Sequence, residues 1–299
     1  MKKLIYSIVF VLILHCTLKI ENCSAQWDNI SQGLKGGSFN SIAIINNNIL
    51  AGSFLEGVFT STNNGSNWIN TSLNSGTIWC LAINGNTVFA GTSSKGGSMG
   101  VFFSTNDGNN WTQTSLNNHY VYSLAVNGDN VFAGTPEGIF ISTNNGIKWD
   151  ITSLNKPCVN SILITGNNIY AGTNSGVYLS TNNGISWNQT ALNDQVIWAL
   201  ASNGSTLFAG TWYIGVCVST DNGISWTKTS IESQYVRSLL CSGNSIFAGT
   251  SDNGIFLSTD NGISWTQSFG EKQTVLSFAL NENNIYAGTS NGVYLFKNK

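Results

Sequence analysis

The chain has 299 residues, with 12 Lys+Arg against 14 Asp+Glu for a formal net charge of −2, and only 9% of its residues are charged, where an ordinary soluble domain has about 25%. Polarity comes instead from 41 Asn and 32 Gly, and 41% hydrophobic residues including 10 Trp supply the apolar surface for a core, which excludes a disordered chain. A single arginine, Arg237, and no lysine group larger than the Lys2-Lys3 pair exclude nucleic acid as a partner, because neutralising phosphates takes clustered cations.

The first segment reads as an address. Lys2 and Lys3 precede an apolar run over residues 4–14, and Cys23-Ser24-Ala25 offers small residues before Gln26. This is the charged start, short apolar middle and small-residue exit of a secretory signal peptide over residues 1–25. The apolar run falls short of the roughly 20 residues of a membrane helix, so no membrane span is expected after cleavage. Residues 26–299 then carry 9 basic and 13 acidic residues, a net charge of −4. A secreted, periplasmic or cell-envelope location follows. Of six cysteines, Cys80, Cys158, Cys217 and Cys241 lie beyond residue 25. They occupy different repeat positions without CxxC spacing, which suggests buried free thiols, with a Cys217–Cys241 bridge as the alternative. One histidine beyond residue 25, His119, and no paired ligand spacing leave no expected metal or cofactor.

From residue 51 onward a triplet recurs. Ala51-Gly52-Ser53 is followed by Ala-Gly-Thr opening at Ala90, Ala133, Ala171, Ala209, Ala248 and Ala287, at steps of 38–43 residues. Seven units near 40 residues point to a repeat architecture. In the third unit an apolar stretch over residues 121–126 leads through Asn127-Gly128-Asp129, a tight-turn sequence, into a strand over residues 130–135. A loop, a third strand over residues 138–142, the turn Thr143-Asn144-Asn145-Gly146 and a fourth strand centred on Trp149 complete it. Four short strands with turns every 8–12 residues and no helical period describe an all-β blade. Seven blades make a β-propeller of four-stranded antiparallel sheets. The last unit stops after its third strand, and Trp27 precedes Trp68 by one repeat length. The N-terminal strand is therefore expected to complete the last blade and close the ring, which hides exposed strand edges.

The hairpin between third and fourth strands reads Ser61-Thr62-Asn63-Asn64-Gly65-Ser66-Asn67-Trp68, and recurs from Ser104, Ser142, Ser180, Ser219 and Ser258. It resembles the Asp-box (BNR) repeat, Ser-x-Asp-x-Gly-x-Thr-Trp, over nearly the whole chain beyond the leader. Asp221 and Asp260 keep the acidic position; Asn63, Asn106, Asn144 and Asn182 replace it. Either side chain can accept backbone N–H bonds in the turn, so the box is expected to be scaffold. Seven short blades look most like the photosystem II assembly-factor propellers, within a wider group that includes sialidases and xyloglucan-type glycoside hydrolases. The arginine triad that sialidases place on a substrate carboxylate cannot be assembled from Arg237 alone, and the assembly factors' arginine patch is missing too. The resemblance carries fold and little function.

In such propellers the box hairpins lie on one face, and the fourth-to-first connections and second-to-third loops on the other. Eleven residues before each triplet alanine stand Asn40, Trp79, Tyr122, Asn160, Trp198, Arg237 and Leu276; one place earlier stand Phe39, Ile78, Val121, Val159, Ile197, Val236 and Val275. A uniform apolar position beside a varied one suggests packing next to rim. Asn40, Trp79, Tyr122, Asn160, Trp198 and Arg237 are candidates for a shallow sugar or peptide site; the alternative is that they pack between blades. Two irregular loops add candidates: Trp212 and Tyr213 stand where other blades carry small polar residues, and an insertion over residues 93–99 accounts for the longest step. Asp194 and Glu232, in the approaches to adjacent inner strands, are the one carboxylate pair suited to glycoside hydrolysis. The expected function is a non-enzymatic binding or assembly module with a glycan or protein partner; a carbohydrate-active enzyme is the alternative.

Overall fold

The structure is a computed structural model and describes residues 27–93, 99–231, 234–270, 272–282 and 284–297. It is all-β. Seven four-stranded antiparallel sheets follow one another, each in the order inner, second, third, outer strand. The inner strands are Phe39–Ile45, Thr77–Asn84, Ser123–Asn127, Val159–Thr165, Ile197–Asn203, Val236–Ser242 and Val275–Asn281. Neighbouring inner strands pack against one another around the ring, and the first packs against the last, so the sheets are the blades of a propeller. In the third blade the inner strand begins at Ser123 and the outer strand covers Asp150–Ile151. Both start later than the sequence suggests, because Val121 donates its N–H to the Thr92 carbonyl of the second blade, Tyr122 makes one isolated backbone bond to Gly134, and Trp149 precedes the outer strand.

The core is divided into seven buried apolar clusters, one in each gap between neighbouring blades. Each gap takes a tryptophan from the outer edge of one blade: Trp68, Trp111, Trp149, Trp187, Trp226 and Trp265, and in the gap between blades six and seven Trp27. Large amphipathic rings suit this place, since they cover apolar area, and in five of them the indole N–H reaches a carbonyl, as Trp149 Nε1 does on Gly146 at 3.0 Å. The outer strand of the seventh blade is Trp27–Asn29, paired antiparallel with Gly292–Lys297. The N-terminal segment thus closes the ring.

The hairpin turns repeat one hydrogen-bond pattern. Ser219 Oγ donates to Asp221 Oδ1 at 2.8 Å and accepts the Gly223 N–H at 2.9 Å, while Asp221 Oδ1 accepts the Ser225 N–H at 2.9 Å. Where Asn replaces Asp the acceptor is the amide oxygen, as in Ser142–Asn144–Lys148. The chain passes through the left-handed region at Asn222, φ 58°, and Gly223, φ 87°, which Asn and Gly tolerate.

All four described cysteines are free. Cys217 packs in the gap between blades four and five and Cys241 in the gap between blades five and six, so opposite sides of the fifth sheet separate them and the alternative bridge does not form. Burial pushes both thiols up to about 11.

Candidate functional site

The site is built at a break in strand register. In six blades the pairing of the inner strand with the second strand skips one residue: Asn40, Trp79, Asn160, Trp198, Arg237 and Leu276. In the third blade Tyr122 holds the same place, its N–H donating to the Gly134 carbonyl. A bulge frees one residue from the ladder and re-aims its side chain. The residue before it, Phe39, Ile78, Val121, Val159, Ile197, Val236 or Val275, is fully buried in every blade and packs into the neighbouring gap. The residue after it returns to the ladder.

The six bulge residues and Tyr122 all line one cavity of about 510 Å³ at the ring axis, joined by Ser38, Phe54, Cys158, Thr274 and Ser290. The volume falls within the 300–1,000 Å³ of small-ligand sites. The cavity lies on the face of the second-to-third loops, opposite the box hairpins. The triplet threonines shape those loops: Thr135 Oγ1 donates to the Gly138 carbonyl at 3.0 Å and accepts the Glu137 N–H at 3.1 Å, and Thr173 and Thr289 repeat the arrangement.

Two aromatic groups flank the cavity. Phe54 meets Trp79 edge-on at 6.4 Å, and Trp79 meets Tyr122 edge-on at 5.6 Å. Across the ring order, Trp198 lies 5.5 Å from Trp212, which continues to Tyr213 at 6.0 Å and Tyr235 at 5.6 Å. Arg237 is placed over the Trp198 ring at 4.6 Å, and its Nε donates to Ser251 Oγ at 3.1 Å. Burial lowers its pKa from the ordinary value, with the Asp252 carboxylate acting in the opposite direction. The Asn40 and Asn160 amides donate to the Ile78 and Ile197 carbonyls, each at 3.1 Å. They tie one inner strand to the next. Burial first, then the Glu137 carboxylate, raises the Cys158 thiol; it lies 3.6 Å from Asn160 Oδ1.

Asn40, Trp79, Tyr122, Asn160, Trp198 and Arg237 are thus brought together. Trp212 and Tyr213 are outside the cavity lining and extend the Trp198 cluster toward solvent, where Tyr213 is 63% exposed. The sequence reading missed Phe54, Tyr235 and Ser251. The position immediately after each triplet, occupied by Phe54, Ser93, Pro136, Asn174, Trp212, Ser251 and Ser290, is the signal that finds most of them. In three blades that residue meets the bulge residue of its own blade: Ser93 accepts the Trp79 indole N–H at 2.5 Å, Ser251 accepts from Arg237, and Trp212 lies against Trp198, whereas Phe54 meets Trp79 of the next blade. Glu232, the center of the insertion (residues 94–98) and the leader (residues 1–25) lie outside the described residues. Asp194 is exposed and lines no part of the cavity.

No protein-family model matches the chain, and no curated protein matches it in sequence. Solved structures do match in shape. The extracellular domain of a hybrid two-component system from B. thetaiotaomicron superposes with a TM-score of 0.76 at 18% identity over 92% of this chain and 40% of that one; this chain therefore spans less than half of that domain. YCF48 from Cyanidioschyzon merolae gives 0.73 at 13% over 91% of this chain and 98% of that one, and a structure of YCF48 bound to D1 peptide gives 0.70 at 12%, covering 91% and 97%. A GH74 enzyme from Niastella koreensis gives 0.71 at 19% over 90% and 53%. At such identities the likeness is one of fold.

Proposed function

We propose that the chain is an exported binding module that seats its ligand in the axial cavity and performs no covalent chemistry on it. The observation that carries this reading is the convergence of one residue from each of seven blades, six of them at bulges, on a single aromatic-walled cavity. A bulge in nearly every inner strand costs ladder bonds, and packing between blades needs only the buried residue beside it. Among the described residues lining the cavity there is no Asp or Glu, which favours recognition over acid–base hydrolysis. The hairpins serve this function as Asp-box repeats that hold the outer edges, and residues 1–25 act as a cleaved leader, so that the exported protein begins at Gln26.

The test is binding of purified residues 26–299 to a broad glycan array at physiological salt, beside Trp79→Ala and Trp198→Ala variants shown to be folded. A selective signal that both variants lose supports the reading. A signal that survives both substitutions places binding elsewhere and overturns it. YCF48 bound to D1 peptide favours a protein partner as the second reading, and a blank array with specific, Trp198-dependent peptide binding would establish that one.

A further inference from the structure

Granting the axial cavity as the binding site, its lining also specifies a chemical group on the ligand. Arg237 is the only arginine in 299 residues and, among the described residues, the only charged side chain lining the cavity. It is half-buried, stacked at 4.6 Å on Trp198, and oriented by one hydrogen bond to Ser251. Ser251 is itself anchored, its N–H donating to the Tyr235 carbonyl and its own carbonyl accepting the Thr274 hydroxyl. Among the described residues the ion pairs are His119–Glu137 and Lys148–Asp150, and no described carboxylate lies within 4 Å of Arg237; Asp252 acts on it from beyond contact. A cation withdrawn from water calls for a compensating anion. The guanidinium fork matches a carboxylate in shape and charge.

The remaining lining indicates what carries that carboxylate. Asn40 and Asn160, whose amides would otherwise serve a peptide backbone, donate to the neighbouring blades. What is left to a ligand is flat aromatic surface: Trp79 and Tyr122 on one flank, Trp198 on the other, and an outward run through Trp212 to Tyr213 and Tyr235. Such surface suits the C–H faces of sugar rings in an extended chain. We propose that the cavity takes a uronic-acid unit of an acidic glycan, its carboxylate on Arg237 and its ring against the cavity's aromatic walls.

The experiment is a calorimetric and tryptophan-fluorescence titration of residues 26–299 with di- to tetrasaccharides of galacturonate, glucuronate and mannuronate. Methyl esters of the same sugars, neutral galactose and glucose oligomers, and an acidic peptide with a free C-terminus are the comparison arms. At least one uronate series is expected to bind, its ester at least about tenfold more weakly, and Arg237→Gln is expected to lose at least about tenfold for the acid alone, as charge-assisted bonds require. Arg237→Lys, which keeps the charge and loses the fork, is expected to fall between, and near-ultraviolet circular dichroism checks packing around Trp198 in both variants. Equal binding of ester and acid, or of neutral oligomers unaffected by Arg237→Gln, overturns the carboxylate assignment while the binding site stands. Arg237-dependent binding of the peptide with no uronate bound overturns the glycan assignment. Failure of every arm, with a blank array, removes the binding site as well.

Discussion

A methyl group added at Gly210 would lie 2.7 Å from Val236 Cγ1 and 3.1 Å from the Val236 carbonyl oxygen. The second residue of the triplet is glycine because the next blade's buried inner-strand residue presses against it, and Gly134, Gly172 and Gly249 meet Val159, Ile197 and Val275 in the same way. Gly210→Ala is therefore expected to cost about 1–3 kcal/mol through overpacking, seen as a lower urea midpoint with an unchanged slope. Gly204 is the contrasting case: it sits in a turn at φ 59° with open space around it, and Gly204→Asn is expected to stay within about 0.5 kcal/mol, since Asn tolerates that region. The same inner strands show how far the site could be read from sequence. Two adjacent positions, one always apolar and one varied, are visible as a column in the repeats, so the cavity residues were within reach. The bulge that turns them toward the axis was not, because simple alternation sends neighbours to opposite faces of a sheet. In sequence Trp212 stands out only as part of an irregular loop, whereas its place in the fold is the partner position of Trp198 in its own blade.

The box hairpin is a closed set of bonds within eight residues, which is why its sequence was legible from residue types alone. Removing the Ser219 hydroxyl leaves the buried Gly223 N–H without an acceptor, and Ser219→Ala is expected to cost about 1–3 kcal/mol. Exchange of acid for amide is a different matter. Asn182 Oδ1 accepts the Ser186 N–H, and its Nδ2 donates to Ser186 Oγ at 2.8 Å, so the turn survives without a charge. Where the acid is kept it is held strongly ionised. Hydrogen bonds from the Ser225 hydroxyl first, then the Ser225 N–H and the Ser219 hydroxyl, lower Asp221 to about 2, and Ser264 with Ser258 does the same for Asp260. A folded-state value below the unfolded value of about 3.9 stabilises the fold above pH 4, and that contribution is lost as pH falls toward 2. The difference in melting temperature between the wild-type chain and the double variant Asp221→Asn/Asp260→Asn is expected to be constant from pH 7 to 5 and to shrink between pH 4 and 2. A difference that instead grows on acidification would contradict this account of the turn.

Across the whole molecule, seven nearly equivalent gaps share the work of stabilisation, and one of them is sealed by a tryptophan from the first strand, which pairs with the last strand in the seventh blade. Trp27 is buried in the gap between blades six and seven, 5.5 Å from Phe269 and 5.4 Å from Phe296. The residues behind it continue the seal. Ile30 donates its N–H to the Val293 carbonyl, and its own carbonyl accepts the Trp68 indole N–H at 2.7 Å, so the segment bridges blades seven and one. The sequence showed this closure through the repeat spacing of Trp27 and the missing fourth strand of the last unit. It could not show that Ile30 also packs under Gly65, where a Cβ would lie 2.3 Å from Ile30 Cδ1. Trp27→Ala removes one gap's tryptophan and leaves backbone pairing in place, for an expected cost of about 3–5 kcal/mol and a fall in melting temperature of about 2–4 °C for each kcal/mol. Deleting residues 26–30 goes further, since it exposes the edge of Gly292–Lys297 and uncovers Trp68 together. That deletion is expected to lower the midpoint more than Trp27→Ala and to produce concentration-dependent association through the open edge. Adding back a synthetic peptide of residues 26–34 is then expected to restore the midpoint, because it offers the same strand to the same edge. An unchanged midpoint on deletion would mean that the ring holds without its closing strand.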